Sequence, residues 1–193
     1  PAAWMRSRRR ASPSCAGGQL QIDRLRMRFQ WLWILAVLFL IRLPFLNQAI
    51  QGDDVYYLAA AQHAQINPWH PNQARYPFLG QLVDMRGHPH PPLNAWFLAG
   101  LLALFGDIYE VTFHAVYILF SLIAALAMWA LASRFSSQPL WATLLFLVTP
   151  AFVVNGNSLE ADLPLLAFSI GAVALFVKAT EAGMADRRAC PTW

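Results

Sequence analysis

Apolar positions along the chain gather into five runs. Residues 29–46 form the first, interrupted by a formal charge only at Arg42. Residues 93–105, 111–133, 138–154 and 163–177 follow, and the last lengthens to 161–179 if its ends are shared with an interface. A membrane-crossing helix needs about 20 predominantly apolar residues. Four runs approach that length and predict spans over about 29–46, 111–133, 138–154 and 162–178. The run 93–105 has 13 residues. At about 1.5 Å per residue it reaches roughly 20 Å, against a hydrocarbon core of about 30 Å. It is expected to lie on the membrane surface as an interfacial helix.

Placing 93–105 flat fixes the parity of the chain. The N-terminus, the loop at Arg134 and the tail from Lys178 then share one side, with 11 of the 14 Lys and Arg residues. The opposite side receives seven of the ten acids, together with Arg75 and Arg86. This is the asymmetry of the positive-inside rule. The expected organisation is a basic, disordered tail over 1–26, an all-α integral membrane region over 27–180 with about four transmembrane helices, and a disordered tail over 181–193. An external loop over 47–110 carries the interfacial helix 93–105.

Composition agrees. Of 193 residues, 58% are hydrophobic and 12% charged, where a soluble domain has about 45–50% and about 25%. The net charge of +4 does not indicate nucleic acid, because the basic residues flank apolar spans instead of forming a patch. No small-residue cleavage site follows the first run, so it reads as a retained span and not as a signal peptide. Cys15 and Cys190 make neither a disulfide framework nor a zinc spacing. Residue 1 is Pro, Met27 directly precedes a basic residue and a span, and the end RRACPTW has no periodicity. The expectation is a chain cut from a longer membrane protein.

The candidate chemistry sits in the external loop and at the outer ends of spans. Asp53 and Asp54 follow the first span, with Tyr57 sharing a helical face with Asp53. As helix caps, these acids would equally satisfy a helix N-terminus. His88 and His90 stand in G-H-P-H-P-P-L, where three prolines stiffen the backbone. They suit metal, phosphate or acid–base work, or simply a Pro-rich lead into a helix. Glu160 and Asp162 precede the last span, and Asp162 with Pro164 also reads as an N-cap and first-turn proline. Arg42 falls near the outer interface, where it would snorkel and meet a lipid phosphate. Arg75 and Arg86 are alternatives for that contact. His114 reads as an interfacial side chain.

The order of these motifs resembles the GT-C glycosyltransferases, in the branch of the protein O-mannosyltransferases and lipid A aminoarabinose transferases. The resemblance covers about residues 27–180, as the N-terminal part of that fold. Members carry an Asp-Glu pair with Tyr three places after the Glu, matched by Asp53, Asp54 and Tyr57, with Asp54 in place of the Glu. H-P-P-L is matched by His90, Pro91, Pro92 and Leu93. The second acidic site, L-L-D in the family, is Glu160-Ala161-Asp162 here, so only the Asp transfers. The resemblance implies inverting transfer of a sugar from a polyprenyl-phosphate donor to a hydroxyl acceptor, a lipid, glycan or protein, on the periplasmic face of a bacterial inner membrane.

Under that resemblance Asp53 and Asp54 are the expected catalytic pair, with Asp53 as general base. Tyr57, His90, Asp162, Arg42, Arg75 and Arg86 are the expected substrate-binding residues. A divalent metal cation is a further expectation, held by Asp53, Asp162 and His90. Two other readings compete: a fragment of a transporter, with Arg42 and Asp162 lining a path, or a non-catalytic membrane protein. Transporters place ionisable groups near the midplane, whereas here they gather at one interface.

Overall fold

The computed structural model describes residues 29–87 and 90–189, with side chains to residue 180. The tail expected over 1–26 and the candidate His88 lie outside the described residues. Helix α1 occupies residues 29–42 and closes in a 3-10 turn, Leu43–Phe45, begun by Pro44. Six helices follow: α2 (Asp54–Ala64), α3 (Leu93–Phe105), α4 (Glu110–Phe135), α5 (Pro139–Leu147), α6 (Pro150–Asn155) and α7 (Asp162–Ala189). Among the described residues, α4 and the stretch Asp162–Thr180 of α7 are long and apolar enough to cross a membrane, while α1 and α3 are shorter apolar helices.

Loop 47–110 also carries a hairpin, in which β1 (Arg75–Phe78) pairs antiparallel with β2 (Gln81–Asp84). Leu79 and Gly80 both have positive φ, the backbone that a two-residue hairpin turn requires. Two expectations need correction. First, 138–154 is not one continuous span. It is two short helices, α5 and α6, with the chain leaving helical geometry at Thr149, immediately before Pro150. A residue preceding proline is pushed out of the α region, so the break is local in origin. Second, α7 continues to Ala189, through most of the stretch expected to be a disordered tail.

Ring contacts and hydrogen bonds orient the bundle. Trp31 meets Trp129 at 5.2 Å and the Arg42 Nε donates to Ser121 Oγ at 2.9 Å, so α1 runs antiparallel to α4. Phe120 meets Phe168 at 5.9 Å near the start of α7, and a groove further along is lined by Leu131 and Ala174, so α4 and α7 run parallel. The segment α5–α6 carries the chain back between them. The end of α1 and the start of α4 therefore share one end of the bundle. There the Ile50 N–H donates to Glu110 Oε1, and His114 Nδ1 lies 3.3 Å from the Leu46 carbonyl. Loop 47–110 leaves and returns at that same end. Within it α2 packs on α3, and the Trp96 indole donates to the Pro68 carbonyl at 2.8 Å. Phe97 of α3 lies 5.0 Å from Phe120 of α4, which seats the loop on the bundle.

Candidate active site

Arg42 is 2% exposed although its residue type is almost always at the surface. Its guanidinium donates to Ser121 Oγ, Val153 O, Asn157 Oδ1 and Phe152 O, and stacks 4.5 Å over the Phe152 ring. Two of those acceptors are carbonyls in the last turn of α6, where Phe152 O also takes the Gly156 N–H and Val153 O the Asn157 side-chain amide. A cation there also complements the helix C-terminus. Gly156 leaves the space for it: a Cβ at that position would collide with the guanidinium. The sequence reading of Arg42 as a snorkelling contact for a lipid phosphate is thus corrected. Its hydrogen bonds fasten α1, α4 and α6 together.

The loop arginines differ from each other. Arg86 forks onto Asp84 with Nη2–Oδ2 at 2.6 Å, and holds that carboxyl down to about 2. This exposed ion pair is local to the hairpin. Arg75 is exposed and faces Asp84 across the ladder. Neither appears in the lining of the grooves around Asp162.

The remaining candidates converge. Asp53 is the N-cap of α2; its carboxylate is exposed and makes no capping hydrogen bond. Asp54, the next residue, is 2% exposed, and its Oδ1 accepts the Leu159 N–H at 2.6 Å. Burial raises the Asp54 carboxyl above its ordinary range. Tyr57 stands between the two distant motifs. Its hydroxyl lies 3.3 Å from His90 Nδ1 and also against the Ala161 backbone. Burial, reinforced by Glu160, Asp162 and Asp53, pushes this phenol up to about 12. His90 sits at the head of α3, its carbonyl receiving the Asn72 amide at 2.7 Å. Its ring contacts Tyr56 and Tyr57, each at 5.2 Å.

Sequence reasoning missed several of these residues. Tyr56 meets Tyr57 and Tyr76 edge-on at 5.3 and 5.1 Å, completing an aromatic nest behind His90. Asn94 and Tyr117 are buried and both donate to the Leu159 carbonyl, at 3.0 Å each. The available signal was weak: a lone Asn in the first turn of an apolar helix, and a lone Tyr inside a span.

Glu160 is half-buried and lies within the field of Asp53, Asp54 and Asp162; burial first, then these charges, raise its carboxyl. A raised folded-state value means stability that is full at low pH and declines as pH rises through the carboxylate range. Glu160→Gln is expected to raise the unfolding midpoint by a few degrees at pH 7 and to match the parent at pH 4. Thermal unfolding in detergent at both values checks this.

Asp53, Asp162 and His90 were expected to hold a divalent cation. Among the described residues no group of three or more His, Cys, Asp or Glu is arranged to hold one.

Two grooves meet at Asp162. One, of about 680 Å³, opens at His90, Asn94 and Asp162 and continues between α3, α4 and α7 over Phe97, Leu119 and Phe168. The other, of about 510 Å³, lies between α6 and α7 and includes Thr149, Asn155 and Ser169. A polar mouth leading into an apolar trough suits an amphiphile whose head reacts while its tail stays in an apolar phase.

No curated protein and no solved structure matches the chain. A family model, described as dolichyl-phosphate-mannose-protein mannosyltransferase, matches residues 89–187. The match takes in His90, α3, α4 and Asp162, and leaves Asp53, Asp54 and Tyr57 outside it. It spans just over half of the 193 residues, and on that ground the chain belongs to the dolichyl-phosphate-mannose-protein mannosyltransferase family.

Proposed function

We propose that the chain serves membrane glycosyl transfer, moving a sugar from a polyprenyl-phosphate donor to a hydroxyl acceptor, with inversion, on the outer face of a bacterial inner membrane. Family membership supports glycosyl transfer and the lipid-phosphate donor. The observation that carries the finer reading is the groove of about 680 Å³ whose mouth holds His90 and Asp162 and whose walls are apolar. It matches a donor with an anionic, sugar-bearing head and a hydrocarbon tail.

The donor head lies at the mouth, beside His90. Asp53 accepts the proton of the acceptor hydroxyl as the oxygen attacks the anomeric carbon. The carbon–oxygen bond to phosphate breaks on the opposite face, and the phosphate leaves with the electron pair. His90, braced by Tyr57 and Asn72, donates a hydrogen bond to that departing charge. Asp162 and Tyr57 orient the sugar and acceptor. Arg42 has no part in this scheme because its donors are committed inside the bundle.

The test uses the full-length protein in lipid vesicles with radiolabelled polyprenyl-phosphate mannose. Transfer of label to a hydroxyl acceptor, with release of polyprenyl phosphate, is the expected result. Phe168→Glu, which sets a carboxylate in the groove wall, is expected to raise the donor KM roughly tenfold or more, as about 1.4 kcal/mol of lost tail burial would give. Failure of the protein to turn over lipid-phosphate sugars would overturn the proposal. Net ion or solute flux through such vesicles would instead favour the transporter reading.

A further inference from the structure

We infer that Asp54, Asn94 and Tyr117 are positioning residues that grip the backbone N–H and C=O of Leu159 and thereby set where Glu160 and Asp162 stand relative to Asp53 and His90. This rests on the glycosyl-transfer reading above, and it gives the two adjacent acids of α2 different work.

Leu159 is fully buried and lies in the non-helical link between α6 and α7. Its N–H has one partner, the Asp54 Oδ1 at 2.6 Å. Its carbonyl has two, the Asn94 Nδ2 and the Tyr117 hydroxyl, each at 3.0 Å. The set is closed, because the single Tyr117 hydroxyl proton is shared between Asn94 Oδ1 at 2.6 Å and the Leu159 carbonyl at 3.0 Å. Three separate helices, α2, α3 and α4, are thus tied to the backbone of one residue in the link. Glu160 follows immediately and Asp162 two residues later, so the two peptide units flanking Leu159 set the path of the acidic segment. Without these bonds a buried N–H and C=O would lack partners, so the link would have to move to satisfy them. The acceptor Asp54 offers Leu159 is a single oxygen, and an amide oxygen can replace it. A general base could not be replaced in that way. The neighbouring Asp53 carboxylate is exposed and makes no capping bond, so the pair divides into one acid for chemistry and one for position.

The experiment compares Asp54→Asn, Asp54→Leu, Asn94→Leu and Tyr117→Phe in the full-length protein. The readouts are kcat and KM for transfer from polyprenyl-phosphate mannose, and hydrogen exchange of amides 158–163. A displacement of about 1 Å in a reacting group costs on the order of 10²-fold. Asp54→Leu is therefore expected to lose about that much in kcat, with faster exchange at Leu159. Asp54→Asn is expected to recover most of the rate and the protection. Tyr117→Phe and Asn94→Leu each leave one of the two donors to the Leu159 carbonyl and are expected to lose less, which keeps the test open if Asp54→Leu does not fold. Asp54→Asn as inactive as Asp53→Asn, with the Leu159 amide still protected, would overturn the inference. So would unchanged kcat in the variants that fold. A parent protein that transfers nothing, yet shows faster exchange at Leu159 in Asp54→Leu, would remove the glycosyl-transfer reading and leave the clamp standing.

Discussion

Asp53→Asn is expected to reduce transfer by about 10²–10⁴-fold, the range for loss of a positioned general base, while leaving expression and donor binding intact. The substitution is nearly isosteric, and the native carboxylate makes no capping hydrogen bond. Little folding energy therefore depends on it. What changes is basicity and charge. An amide cannot take the acceptor's proton, so the hydroxyl would have to attack while still carrying it. The charge change also removes one of the repulsions felt by Glu160, which would ease the burial of that carboxyl. A purely structural account of Asp53 as a helix cap predicts the opposite pattern, because Asn caps as well as Asp. Rate and donor affinity, measured side by side on the full-length protein, separate the two. An Asp53→Asn protein with the parent's kcat would refute the base assignment.

The end-on convergence of distant motifs was legible in the sequence because charge and run length constrain parity. Thirteen apolar residues are too few to cross readily, and the basic residues fall on one side only if 93–105 does not cross. The contacts of Leu46 with His114 and of Ile50 with Glu110 show the loop returning to the end it left. Arg42 was misread for an equally physical reason. Sequence position tells how far along a helix a residue lies, not what a later helix brings to it. Its partners Phe152, Val153 and Asn157 are 110 to 115 residues away, and nothing local announces them. The hairpin was hidden because Arg75–Phe78 contains a proline and the strands are only four residues long. The Leu159 clamp was hidden because backbone groups leave no mark in a sequence. Asn94 and Tyr117 acquire meaning only once the link between α6 and α7 is placed between them.

Arg42→Met is expected to destabilise the protein by roughly 3–5 kcal/mol, from the loss of charge-assisted hydrogen bonds and the buried acceptors left behind. Four acceptors lose a donor. Two of them retain another partner: Phe152 O accepts the Gly156 N–H, and Val153 O accepts the Asn157 amide. That holds the cost below the full sum. Against a typical stability of about 5–15 kcal/mol, the change should be visible as a lowered unfolding midpoint and loss of a monodisperse peak in detergent. Arg42→Lys keeps the charge but not the planar fork, and cannot reach all four acceptors together, so it should fall between. Gly156→Ala supplies the complementary perturbation. It leaves Arg42 in place and drives a methyl into the guanidinium, with an expected cost of about 1–3 kcal/mol for overpacking. Because the two substitutions act on the same contact, Gly156→Ala should cost much less in an Arg42→Met background than alone. If Arg42 instead served a lipid phosphate, Arg42→Met would leave the midpoint unchanged and raise the donor KM. The double-mutant cycle would then show no coupling.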